Sequence, residues 1–166
     1  MTLAAQISTG FALAALALSA PALAQDAGQI ARVKGGANCA GCNLFQADLA
    51  GAELSGRKFT RARLRQSDMT LAVMGGANFT GADLRDVNAF AGVFSSADFT
   101  GADMTNSSWV GAHFGGAQMS GAKLTGANLS GAELEGARGL TQTQLSGACG
   151  DADTKLPAGL HIAACG

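Results

Sequence analysis

A large apolar residue recurs every five positions from residue 39 to residue 134, preceded two positions earlier by a small one, usually Ala. Five matches neither the 3.6-residue period of a helix nor the alternation of a strand. The large slots hold Leu44, Leu49, Leu54, Phe59, Leu64, Met69, Met74, Phe79, Leu84, Phe94, Phe99, Met104, Trp109, Phe114, Met119, Leu124, Leu129 and Leu134. Cys39 fills the first slot, and Ala89 is the one small lapse. A longer period lies over the short one. Phe59-Thr60, Phe79-Thr80, Phe99-Thr100 and Met119-Ser120 open similar blocks twenty residues apart, which is four pentads. If each pentad supplies one short side and one turn, four pentads close a square coil, and residues twenty apart stack on one face.

The slots then take physical roles. The large residue and the small one two positions before it both point inward, as strand alternation requires, and the small one fills the corner. Between each large slot and the next small slot runs a four-residue turn such as Leu49-Ala50-Gly51-Ala52. Its third position is Gly at 41, 51, 81, 101, 111, 121 and 131, which suits the positive φ of a type II turn. Each buried large side chain contributes roughly 1.5–3 kcal/mol before entropy is subtracted, so stability accumulates layer by layer.

The triplets Ala47-Asp48-Leu49, Ala77-Asn78-Phe79, Ala82-Asp83-Leu84, Ala97-Asp98-Phe99 and Ala127-Asn128-Leu129 resemble the A-[D/N]-L-x-x consensus of the pentapeptide-repeat family. The resemblance covers residues 37–136 and implies an all-β solenoid, a right-handed quadrilateral β-helix of about five coils. At about 4.8 Å per coil the shaft would be roughly 24 Å long. Its open ends need covers, because unpaired strand edges invite aggregation. Residues 25–36 are expected to cover the first end. At the other, within 137–166, Thr141-Gln142-Thr143-Gln144 reads as a capping box opening a short helix, with Leu140, Leu145 and Ala148 lying on the last coil and Gly150 as its stop.

Residues 1–24 carry no charged side chain, contain the apolar run 11–18, and end in Ala22-Leu23-Ala24. This segment reads as a secretory signal cleaved before Gln25. Its apolar core is shorter than the roughly 20 residues a membrane-spanning helix needs, so no transmembrane anchor is expected after cleavage. The expected destination is the periplasm or the exterior, where disulfides persist.

Four cysteines allow three pairings. A turn brings Cys39 and Cys42 within bridging range, while Cys149 and Cys165 follow the last coil, so the geometry favours Cys39 with Cys42 and Cys149 with Cys165. Cys39-Ala40-Gly41-Cys42 also has the spacing of a thiol redox site, but that chemistry uses a helix N-terminus in a βα setting, and this motif lies on a coil turn. Haem attachment fails because Asn43 stands where a His is needed. Neither His113 nor His161 has metal-ligand spacing, and Asp48, Asp68, Asp83, Asp98 and Asp103 recur at the repeat's own polar slot. No catalytic, metal or cofactor site is expected.

The departures from the pattern mark candidate interaction patches. Arg57 occupies a small inward slot and is expected to escape through a local widening of the coil. With Lys58, Arg61, Arg63 and Arg65 it forms a basic patch, and Arg85 should stack above Arg65. Leu71, Val73, Phe90, Val93 and Val110 fall on outward slots around one corner, a possible partner or homodimer contact, although a one-residue slip at Ala89-Phe90 would turn Phe90 inward. Trp109, twenty residues after Ala89, is expected to fill the volume that Ala89 leaves, helped by Val87.

The expected function is a non-enzymatic exported scaffold presenting rigid faces to an unknown protein or to an envelope surface. The family resemblance offers an alternative, since some pentapeptide-repeat proteins act as DNA-shaped regulators of DNA gyrase. Such a mimic needs a long acidic rod, whereas this chain carries 11 Lys plus Arg against 12 Asp plus Glu. That balance gives no bulk attraction to nucleic acid.

Overall fold

The computed structural model describes residues 25–166; the expected signal segment lies outside the described residues. From Asn43 to Arg138 the backbone winds as a four-faced coil in which one residue of each pentad pairs in parallel with the residue twenty positions later. Face one carries the ladder Asn43, Arg63, Asp83, Asp103, Lys123 and face two Asp48, Asp68, Asn88, Ser108, Asn128. Face three carries Glu53, Val73, Val93, His113, Glu133 and face four Lys58, Asn78, Asp98, Gln118, Arg138. One outward residue per side forms the bridge, and the residues flanking it supply the hydrogen bonds. Phe79 N, for example, donates to Asp98 O at 2.7 Å, while Asn78 N donates to Arg57 O below it at 2.9 Å.

The interior is apolar and layered. All the large slots from Leu44 to Leu134 are buried, and Ala fills most of the corners. Phe59, Phe79 and Phe99 form one vertical column with centroids 5.1 and 5.0 Å apart and planes within 10°. Phe94 and Phe114 stack in a second column at 5.8 Å. Trp109 meets Phe94 edge-on at 5.1 Å above the space left by Ala89, and is wholly buried. Its indole N–H donates to Ser107 Oγ at 2.5 Å, and that hydroxyl in turn donates to Met104 O. Ser in the corner slot therefore satisfies the one polar atom that Trp brings into the core.

Each corner closes through a bond such as Ala52 N to Leu49 O at 3.0 Å, with positive φ at the third turn position. Gly is not the sole occupant there. Gln46, Arg61, Gln66, Leu71, Asp86, Ala91, Ser96 and Asn106 hold φ between 52 and 59°, a conformation that costs a non-Gly residue roughly 1–2 kcal/mol. The Asp and Asn of the polar slot brace the turns. Oδ1 of Asp48, Asp68, Asn78, Asp98 and Asn128 accepts from the N–H two residues on, at 2.9–3.1 Å. The A-[D/N]-L preference thus has a structural cause: the acidic or amide side chain holds the turn that follows it.

Helix α1, Ala27–Lys34, closes the first end. Asp26 caps its N-terminus by accepting from Gln29 N, and the helix buries Val33 and half-buries Ile30 against the first coil. Gln29 Oε1 accepts from Asn43 N at 2.7 Å and Gln25 Nε2 donates to Gln46 O at 2.8 Å, so two side chains stand in for a missing lower coil.

At the other end the chain makes a further, irregular turn beyond the five expected. Arg138, Cys149 and Lys155 continue faces four, two and three. On face one the coil is replaced by helix α2, Gln142–Leu145, whose Gln144 Nε2 donates to Met119 O and Ala122 O. Thr141 and Gln144 form the reciprocal capping box, and Leu145 and Ala148 are buried. Gly150 is not the helix stop, because α2 ends at Leu145 with Ser146 as its C-cap. It lies instead in strand β1, Cys149–Gly150, which pairs in parallel with β2, Ala163–Ala164, as a last rung. Any Cβ at Gly150 would fall 2.7 Å from Thr154 Oγ1, which explains the glycine.

Candidate interaction site

The disulfides are Cys39–Cys42, with Cα atoms 5.3 Å apart, and Cys149–Cys165, at 4.8 Å. The first closes a turn of the lowest coil. The second ties the tail to β1, with Ser130 Oγ and Asn128 Oδ1 lying 3.5 and 3.3 Å from Cys165 Sγ. The bridges lie at opposite ends of the shaft. Among the described residues no group of three or more His, Cys, Asp or Glu could hold a metal ion, and no helix is long and apolar enough to cross a membrane.

The basic residues wrap face four, the corner beyond it, and face one. Arg57 is exposed, so its side chain does leave the corner slot, yet the ladder stays intact through Asn78 N to Arg57 O at 2.9 Å. Lys58 and Arg61 are exposed and Arg63 is half-buried. In the upper part of this patch the cations are paired with carboxylates. Arg85 occupies the rung above Arg65, but its Nε and Nη2 both bond Asp83 at 2.7 Å, while Arg65 Nε bonds Asp86 Oδ2 at 2.9 Å. Asp83 reaches Arg85 from two positions away in the same coil, whereas Asp86 reaches Arg65 from the coil above.

The carboxylates register these neighbours. The Arg85 hydrogen bonds hold Asp83 below the ordinary value of 3.8 despite partial burial. The Lys155 ammonium, then His113, lower Glu133, and Gly131 N–H lowers Asp151. His113 itself is exposed, with Nδ1 2.7 Å from Glu133 Oε2.

The apolar corner is the sharper feature. Leu71, Phe90 and Val73 are 60, 49 and 39% exposed, while Val93 and Val110 are half-buried. The register slip at Ala89-Phe90 does not occur. Ala89 remains an inward core residue and Phe90 points out, because the ladder runs unbroken from Asn88–Ser108 to Val93–His113. Volume explains this outcome: Trp109 fills the space beside Ala89, so Phe90 has no need to turn in. The cluster sits where face two meets face three, diagonally across the shaft from Arg61. Face three is also the side whose ladder from Glu53 to Glu133 has no Asp or Asn, so its outward slots are released from bracing turns.

With this geometry established, the comparisons with known proteins define a class. The family described as Pentapeptide repeats (8 copies) matches residues 37–76, 58–106 and 97–136. The chain belongs to the pentapeptide-repeat family. Among solved structures it is similar to a pentapeptide repeat protein of the Arabidopsis thaliana thylakoid lumen, at 27% identity over 58% of this chain and 70% of that one, TM-score 0.47. It is also similar to Rfr23 of the cyanobacterium Cyanothece 51142, at 23% identity over 78% and 97%, TM-score 0.45. A third similar structure is QnrB1, a plasmid-mediated fluoroquinolone resistance protein, at 17% identity over 73% and 77%, TM-score 0.29. Comparison with curated proteins gives no match.

Proposed function

We propose that the chain is an exported, non-enzymatic scaffold whose rigid β-helix faces dock a protein or envelope-surface partner. One observation carries the reading. The repeat turns its large apolar side chains inward, and the exposed exceptions, Leu71, Val73 and Phe90, gather at a single corner instead of scattering. A folded shaft has no packing use for them there, and exposed apolar clusters mark contact sites. Two disulfides at opposite ends of the shaft suit an oxidising compartment.

Affinity capture from the periplasm tests the reading, with wild type beside a Leu71→Gly, Phe90→Ala variant and an Arg57→Glu, Arg61→Glu variant. A protein or vesicle retained by wild type and lost with either variant supports a docking face. Identical retention by all three overturns it. Fractionation with N-terminal sequencing tests export, and the mature chain is expected to begin at Gln25. A gyrase-directed DNA mimic is disfavoured by a net charge of -1 and by the cationic rung at Arg57, Lys58 and Arg61.

A further inference from the structure

We infer that the corner between faces two and three is the contact of an antiparallel homodimer, in which two shafts lie side by side related by a two-fold axis between the Val73 and Val93 rungs. The inference rests on the scaffold reading and names one occupant of its apolar face, a second copy of this chain.

Self-complementarity argues for it. A two-fold axis running along the strand direction keeps corner against corner and reverses the order of the rungs. Val73 of one copy then opposes Val93 of the other. Leu71, the most exposed large apolar residue, opposes Ala91, and Phe90 opposes Thr70, so each large side chain meets a smaller one. At the two ends of this four-rung patch, Glu53 opposes His113, and the symmetry repeats that contact. The pairing already exists within the chain, where His113 Nδ1 meets Glu133 Oε2 at 2.7 Å. Glu53, exposed and in no ion pair among the described residues, gains a partner. The parallel arrangement fails on the same criteria: it lays face three of one copy on face two of the other, so that Glu53 opposes Asp48 and Val73 opposes Asp68.

Leu71 marks the centre of the contact. It holds φ +57° at a turn position where the coils below and two above carry Gly51 and Gly111, at +63 and +67°. Seven other non-Gly turn residues share that conformation, so what sets Leu71 apart is a large apolar side chain held 60% exposed, which does not serve the isolated shaft. Contact with a second copy accounts for that exposure. The patch is only about 19 Å tall at about 4.8 Å per rung, smaller than a standard interface, so the dimer is weak and concentration-dependent.

Sedimentation equilibrium of the full chain over roughly 5–500 µM tests the proposal. A monomer–dimer equilibrium is expected, weakened roughly tenfold or more by Leu71→Gly. That variant relieves backbone strain, so its thermal midpoint should stay level or rise, which separates lost contact from lost folding. A short bis-maleimide is expected to join Glu53→Cys chains to His113→Cys chains in a mixture, and to join neither variant to itself. A chain that stays monomeric throughout the range, a dimer indifferent to Leu71→Gly, or self-crosslinking of Glu53→Cys overturns the proposal. Capture of a different partner by a strictly monomeric chain would leave the scaffold reading standing and this one refuted.

Discussion

Ser67 and Ser107 show how much one residue's worth depends on its neighbour. Both occupy the corner slot of face two and both are buried. Ser107 receives the Trp109 indole N–H, so Ser107→Ala should strand that donor and cost about 1–3 kcal/mol in denaturant unfolding. The Ser67 hydroxyl is buried with no partner among the described residues, so Ser67→Ala should be neutral or stabilising in the same measurement. Equal losses from the two substitutions would contradict the roles assigned here. The volume match of Trp109 to Ala89 was readable from their twenty-residue offset. The role of Ser107 was not, because a polar residue in a small slot reveals a hydrogen bond only once the indole orientation is known. Likewise, Asp83 and Asp86 were visible as acidic residues but not as partners of Arg85 and Arg65, since side-chain reach within a rung and between rungs is a matter of rotamers.

At the scale of elements, turns and caps decide the outcome. Asp98 braces its turn by accepting from Thr100 N at 2.9 Å and also receives Thr80 Oγ1 at 3.2 Å. Asp98→Ala should cost about 1 kcal/mol in denaturant unfolding. The tail is held by a covalent bridge whose cysteines are separated by 16 positions in sequence. Replacing Cys149 and Cys165 together with Ala should lower stability by about 3 kcal/mol, with hydrogen exchange rising first at Ala163 and Ala164. Unchanged protection there would show that β2 is held by β1 alone. The cap helix was legible from the capping box at Thr141 and Gln144, and α1 only as a covering segment. The extra turn through Arg138, Cys149 and Lys155 was not legible, because residues 137–156 abandon the five-residue period while keeping the coil.

For the whole molecule, lowered carboxylates set the response to acid. Asp83, Asp103, Glu133 and Asp151 all lie below their ordinary values in the fold. Their folded forms bind protons less readily than the unfolded chain. The stability they add is therefore complete above the ordinary carboxylate range and is lost as pH falls through it. Thermal midpoints should hold near neutrality and drop below about pH 4, and Asp83→Asn should flatten that drop; a midpoint that rises on acidification would contradict the sign. The account as a whole depends on residues twenty apart being vertical neighbours. Nuclear Overhauser contacts between the rings of Phe59, Phe79 and Phe99 test this most directly. Strong cross-peaks from Phe79 to both others are expected from centroid separations of 5.1 and 5.0 Å; a Phe79 ring that shows contacts to neither would contradict the stacked shaft and every face built upon it.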